Sequence, residues 1–194
     1  MSKQSLVLAS SSSFRKELLE RLHLTFITDS PDINESLLLD ESPEDFVRRL
    51  SLEKARKVAS RHQDSLIIAS DQCSVLNSNI HGKPGHHDAA VKQLLESSGQ
   101  QVSFLTGLCV LDSKTGNYEL ALVPYYVHFR ELTLEEIDRY LRLETPYNCA
   151  GSFKSEGLGV TLFKSMEGDD PSALIGLPLI RLCGILRSFG LELP

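Results

Sequence analysis

The sequence predicts a mixed α/β protein, a single elongated unit over residues 1–194 in which a partly antiparallel sheet is flanked by helices. Three observations carry that expectation. Leu66-Ile67-Ile68-Ala69-Ser70-Asp71-Gln72 is a short apolar run that stops at a carboxylate and a carboxamide, the pattern of a central strand buried on both faces. Short apolar runs alternate with helix-period segments in the first half of the chain. Two long strand-like stretches, near 101–111 and 118–129, then follow one another across Lys114-Thr115-Gly116-Asn117, which suits antiparallel pairing.

Taken in order, Leu6-Val7-Leu8-Ala9 is the first strand, and Ser10-Ser11-Ser12-Ser13 offer caps to a helix with Leu18, Leu19 and Leu22 on one face. Arg15 falls in the first turn of that helix, where a cation opposes the helix dipole. Either an anionic ligand or simple solvation accounts for it, since a strand-to-helix junction with free N–H groups is a ready phosphate cradle. Thr25–Thr28 reads as a short strand and Asp29–Glu35 as an acidic loop. Ser42-Pro43-Glu44 opens a helix reaching about Arg61, with Lys54 beside its apolar stripe, a position where lysines usually snorkel to water. Asp71, at the end of its run, is placed either to close a strand as a turn former or to emerge in the crevice where open α/β sheets bind ligands.

Beyond it, Ser74–Ile80 reads as a hairpin turning at Asn77-Ser78-Asn79, and His81-Gly82-Lys83-Pro84-Gly85 as a fixed loop presenting one lysine. A helix over 88–97 ends at Gly99, and Thr133-Leu134-Glu135-Glu136 is a capping box for a helix to about Leu143. Cys149–Gly159 is glycine-rich with Lys154 and Glu156 but lacks the Gly-Lys-Ser/Thr ending of a P-loop. A strand is expected over 160–163, and a final helix after Gly176-Leu177-Pro178 with Leu179, Leu182, Cys183 and Leu186 inward.

Composition excludes several classes. Hydrophobic residues at 41% and charged residues at 24% are ordinary for a soluble globular protein, and no apolar run approaches the roughly 20 residues of a membrane span. The first apolar stretch is too short for a signal-peptide core, so a cytoplasmic protein is expected. Cys73, Cys109, Cys149 and Cys183 show neither zinc nor disulfide spacing. The net charge of -6 disfavours long nucleic acid but leaves room for one small phosphorylated ligand. Cations and carboxylates gathered at strand ends suit a triphosphate with a divalent metal, because carboxylate oxygens hold Mg²⁺ while Lys and Arg hold phosphate. The clustered His81, His86 and His87 read as surface residues near a turn.

Motif order then makes a resemblance specific. Leu8-Ala9-Ser10-Ser11-Ser12-Ser13-Phe14-Arg15, Lys54-Ala55, Ser70-Asp71-Gln72, Gly82-Lys83-Pro84 and Asp169-Asp170-Pro171 through Gly176-Leu177-Pro178 follow one another as in the Maf family of nucleoside triphosphate pyrophosphatases. The chain resembles that family nearly end to end. Phe129-Arg130, Cys149–Gly157 and the Gln72 after the aspartate resemble its 7-methyl-GTP subgroup, whereas threonine after that aspartate is associated with dTTP and UTP. Two positions depart from the pattern: Ser13 where proline is usual and Asn34 where an aspartate is common.

The resemblance implies an inosine triphosphatase-like fold and attack of water at the α-phosphorus, with release of pyrophosphate. It further implies Mg²⁺ or Mn²⁺, a small nucleotide substrate and a homodimer. In that scheme Asp71 is the general base or a metal ligand, Glu35 a metal ligand, and Ser12, Arg15, Lys54 and Lys83 the phosphate cradle. Phe14, Gln72 and Glu156 are the expected base-reading set: Phe14 stacks, Glu156 accepts from guanine N–H groups, and the Gln72 amide donates to O6. Lys154 is expected either at a phosphate or neutralising Glu156. A dTTP/UTP-type or broader nucleotide-cleansing activity, and a nucleotide-binding regulator of cell division with little turnover, are the alternatives.

Overall fold

The computed structural model describes residues 4–194. A seven-stranded sheet is formed by β1 (Ser5–Leu8), β2 (Phe26–Thr28), β3 (Ser65–Leu76), β4 (Asn79–His81), β5 (Gln101–Asp112), β6 (Tyr118–Phe129) and β7 (Phe163–Glu167). Its order is β2-β1-β3-β5-β6-β7, with β4 paired to β3 off that path. Five α-helices flank it: α1 (Ser13–Glu20), α2 (Pro43–Ala59), α3 (His87–Ser97), α4 (Leu134–Glu144) and α5 (Leu179–Ser188). The β2-β1-β3 side is parallel and the β3-β5-β6-β7 side antiparallel, so the expected mixed α/β sheet is present. Among the described residues no helix is long and apolar enough to cross a membrane.

Both faces of β3 are buried, as a central strand requires. Leu66 and Ile68 pack with Leu8, Leu18, Leu19, Leu182 and Leu186 under α1 and α5, while Ile67 and Ala69 pack with Val7, Ala55 and Val58 under α2. A second apolar cluster lies at the other end of the sheet, where Phe104, Val127, Phe129 and Phe153 meet Leu94, Ile137 and Leu141 of α3 and α4. Helix α2 lies unusually close to the sheet at Gly107, where an added Cβ would stand 2.3 Å from the Val47 carbonyl oxygen.

Two expectations change. The strand does not stop at Asp71: β3 continues to Leu76 and pairs with β5 through Val75. What ends is its neighbour, because β1 pairs only with residues 65–68 and β4 only with 74–76. Residues 69–73 therefore run past the end of β1 with that edge open, so the polar residues mark a gap in the sheet. The hairpin that supplies β4 turns at Asn77 and Ser78, both at positive φ (50° and 64°), as the tight turns of hairpins demand. The expected strand over 160–163 is instead a 3₁₀ turn, Leu158–Leu162, and the strand begins at Phe163. Gly159, whose added Cβ would lie 2.2 Å from the Lys154 carbonyl oxygen, lets the chain coil there and drive Leu162 into the core.

Candidate active site

The gap beside β3 opens into a cleft of about 740 Å³ lined by the α1 N-terminus, the loop after β2, Lys54, Asp71, Gln72 and the Lys83 loop. A smaller lobe of about 120 Å³ shares Ser12, Phe14, Arg15, Gln72 and Lys83 with it and adds Phe153, Glu156, Leu174 and Ile175. Ten candidate residues were named from the sequence; Ser12, Phe14, Arg15, Glu35, Lys54, Asp71, Gln72 and Lys83 line the main cleft, and Glu156 lines the smaller lobe. Lys154 lines neither.

Lysine 54 does not snorkel. It is 4% exposed, and its ammonium lies 2.5 Å from Asp71 Oδ1 and 2.7 Å from Glu35 Oε1. A buried ammonium persists as a charge only when carboxylates compensate it, and here two do. The backbone N–H of Asp71 donates to Ser51 Oγ, which itself donates to the Val47 carbonyl, so α2 holds both the strand and its carboxylate. Burial works to raise the Glu35 pKa, yet its bond to Lys54 and the charges of Lys54, Lys83 and Arg15 outweigh this and hold it below the ordinary carboxylate value.

Glu35 stands on a loop pinned on one side by Arg61, just past the end of α2, and on the other by Arg49 within it. Arg61 donates to both oxygens of Asp29 and to the Ser30 carbonyl, and Arg49 grips both oxygens of Glu41 and the Ser36 carbonyl. Asn34, the position where an aspartate is common in the family it resembles, accepts from the Ser36 N–H and hydroxyl and so shapes the same loop.

On the opposite wall Ser12 caps α1 by accepting from the Arg15 N–H, and the first turn contains no acidic residue. The N–H groups and positive dipole end of α1 thus face the cleft with Arg15 beside them. Arg15 spends Nε on the Gly176 carbonyl at 2.9 Å, leaving its terminal nitrogens for a ligand. Burial lowers its pKa while Asp71 and Glu35 raise it; a guanidinium stays charged throughout. Lys83 is exposed and forms no ion pair among the described residues. Its loop is tied down by Gly85 N–H to the Tyr147 carbonyl and by Gln93 to the Gly82 carbonyl.

Two readings need correction. Lys154 contacts neither a phosphate site nor Glu156: its ammonium lies 3.3 Å from Glu144 Oε1 and 3.1 Å from the Glu144 carbonyl, at the C-terminal end of α4 where a cation is favoured. The glycines around it serve packing, since an added Cβ on Gly157 would strike the Glu144 carboxylate at 2.7 Å. The Gln72 amide nitrogen is not available for a base either. It donates to the carbonyls of Ala173 (2.6 Å) and Leu174 (3.1 Å) and lies 3.1 Å from Thr106 Oγ1. The histidines hold structure: His86 caps α3, and His87 joins Tyr147 to Asp138.

Sequence reasoning passed over Ser51, Arg49, Arg61 and Thr106, and over Asn148, which lines both the cleft and its smaller lobe. Thr106-Gly107 in the middle of an otherwise apolar strand was a usable signal, a hydroxyl and a missing side chain where neither packs a core. Among the described residues no three carboxylates, histidines or cysteines gather as a metal-ligating cluster.

The family model described as Maf-like protein matches residues 5–189. The chain belongs to the Maf family. Among curated Maf relatives, a protein of Pseudomonas savastanoi pv. phaseolicola named 7-methyl-GTP pyrophosphatase is 56% identical over 98% of this chain and 99% of its own length. Proteins of the same name from Pseudomonas syringae pv. tomato and Alcanivorax borkumensis are 54% and 53% identical, over 98% and 97% of this chain and 99% and 96% of theirs. The residues lining the cleft all lie within the Maf match.

Proposed function

We propose that this chain is a nucleoside triphosphate pyrophosphatase that hydrolyses 7-methyl-GTP to 7-methyl-GMP and pyrophosphate. The observation that carries it is the convergence of Ser12, Arg15, Lys54 and Lys83 with two carboxylates in one cleft, beside a lobe walled by Phe14, Gln72, Glu156 and Phe153. The full-length relatives of the same name support the choice of base.

The chemistry follows from the donor set. The α1 N-terminus, Arg15, Lys54 and Lys83 hold the phosphates, and the bridging oxygen leaves with pyrophosphate as water oxygen bonds to the α-phosphorus. Asp71 Oδ1 is held by Lys54, which leaves Oδ2 to orient the water and take its proton. Glu35 and Asp71 flank the ammonium of Lys54, and the carboxylate oxygens that Lys54 does not take are the ones that would hold Mg²⁺ or Mn²⁺ together with substrate phosphates. When bound there, a divalent cation supplies neutralisation of the charge that develops on the leaving pyrophosphate. The cationic 7-methylpurine suits a lobe that offers an aromatic face and the Glu156 carboxylate.

The test is a nucleotide panel with Mg²⁺ or Mn²⁺, scored for pyrophosphate against orthophosphate. Pyrophosphate release with 7-methyl-GTP ahead of GTP, dTTP and UTP is expected. Equal kcat/KM for 7-methyl-GTP and GTP would overturn the assignment of the base, and orthophosphate as product would overturn the assignment of the bond.

A further inference from the structure

Resting on that reading, we infer that Gln72 recognises the base as a fixed hydrogen-bond acceptor and that Thr106 is the positioning residue that helps to hold it so. The polarity of a side-chain amide is ordinarily free to invert by a half-turn about its last bond. Here it is not. The nitrogen faces two main-chain carbonyls, Ala173 and Leu174, which can only accept. Its third neighbour, Thr106, is directly across the β3–β5 ladder and fully buried, and its single hydroxyl hydrogen is committed to the Ala173 carbonyl at 3.0 Å. The Thr106 oxygen therefore also acts as an acceptor toward Gln72. Inverting the amide would set its oxygen against three acceptors with no donor hydrogen left among them.

The other end of the amide is equally defined. Among the described residues Gln72 Oε1 has no hydrogen-bond partner, and no buried side-chain polar atom there lacks one, so this oxygen is open to the cleft its residue lines. The site consequently offers an acceptor to the base edge and rejects an acceptor placed there. Guanine presents N1–H and a 2-amino group as donors, whereas adenine carries an unprotonated N1 on the same edge. Methylation at N7 makes the purine a cation, and a donor on a charged group makes the stronger hydrogen bond. One fixed oxygen thus favours guanine over adenine and the 7-methylated form over guanine.

The experiment measures kcat/KM for 7-methyl-GTP, GTP and ATP in wild type, Gln72→Leu, Thr106→Val and Thr106→Ser. In Gln72→Leu the 7-methyl-GTP to ATP ratio falls by about 10- to 100-fold, the scale of one lost hydrogen bond to a charged group. Thr106→Val, which still leaves two carbonyls on the amide, lowers the ratio about five- to tenfold, and Thr106→Ser restores it. In a Gln72→Leu background Thr106→Val leaves the ratio unchanged, because a residue acting through Gln72 has nothing left to act on. A loss spread equally over all three nucleotides in Thr106→Val, or the same ratio change with and without Gln72, would overturn the inference while leaving pyrophosphatase activity in place. Should Thr106→Val fail to fold, the Gln72→Leu ratio decides alone: a ratio unchanged from wild type rejects the acceptor. Absence of wild-type pyrophosphate release from any of the nucleotides would instead reject the proposed function itself.

Discussion

Asp71 and Gln72 are consecutive, yet they belong to different halves of the cleft. A strand turns successive side chains to opposite faces, so Asp71 meets the charged side chains of α2 and its pinned loop while Gln72 meets the carbonyls of the 173–174 turn. The first half is built from full charges: Lys54, Glu35, Asp71, and the arginines that fix the loop. The second holds Gln72 with neutral dipoles of fixed direction. On the proposed assignment the difference teaches that bond cleavage and base selection are separable, because each is organised from its own face of the same strand.

The largest way to break the comparison is Asp71→Asn. If Asp71 takes the proton of water, kcat falls by about 10²–10⁴, while the preference of bound nucleotide for 7-methylguanine over adenine persists; normal turnover in saturating metal and substrate would remove Asp71 from the chemistry. Lys54→Met tests the charged half as structure. It leaves Asp71 buried without its cation, so unfolding by denaturant should show a loss of about 3–5 kcal/mol, as breaking one side of a buried pair does.

A finer cut is Arg49→Gln. We expect kcat/KM to drop about tenfold as the loop relaxes, in line with the cost of a small misplacement of a catalytic group. The drop should vanish in a Glu35→Gln background if Arg49 acts through Glu35. Gly107→Ala reaches both halves at once by pushing α2 from the sheet, and a cost of about 1–3 kcal/mol in thermal or denaturant unfolding follows from overpacking at the Val47 carbonyl.

Acid gives the smallest and most one-sided effect. Bonds to Arg61 and Arg49 hold the carboxyls of Asp29 and Glu41 below their ordinary values, and Glu35 is lowered despite burial. A folded-state pKa below the unfolded one stabilises at pH above the unfolded value and is lost as pH falls through the folded one. Stability should therefore decline as pH drops below about 4, the ordinary carboxylate range. Added salt should blunt the parts due to the exposed pairs. The Gln72–Thr106 contacts contain no titrating group, so that part of the site should persist where the Asp29–Glu41 loop begins to fail.

Much of this was legible in the chain because regular periods and cap chemistry act locally. The α4 capping box, the Pro43 entry to α2 and the two long antiparallel strands stand where local rules put them. Asp71 was read as a strand end because a carboxylate after an apolar run is ambiguous between the end of a strand and the end of its neighbour. That distinction depends on the length of β1, sixty residues away in sequence. Lys54 could not be placed by helix pattern, since its burial depends on carboxylates from two other elements. Lys154 misled for the same reason, its partner Glu144 lying on a helix that composition does not link to it.

Gly176 adds a consequence for the size of the ligand. Its carbonyl receives Arg15 Nε and lies 2.8 Å from Ser70 Oγ, while Ala173 and Leu174, in the same short turn, receive Gln72. The turn is itself held by Asp170, which accepts from Ser172 and from the N–H groups of Ile180 and Arg181. Arg15, the proposed phosphate arm, and Gln72, the proposed base acceptor, are therefore mounted on one four-residue piece of backbone. On that proposal the piece acts as a gauge: it sets the distance from base to phosphate that a ligand must match.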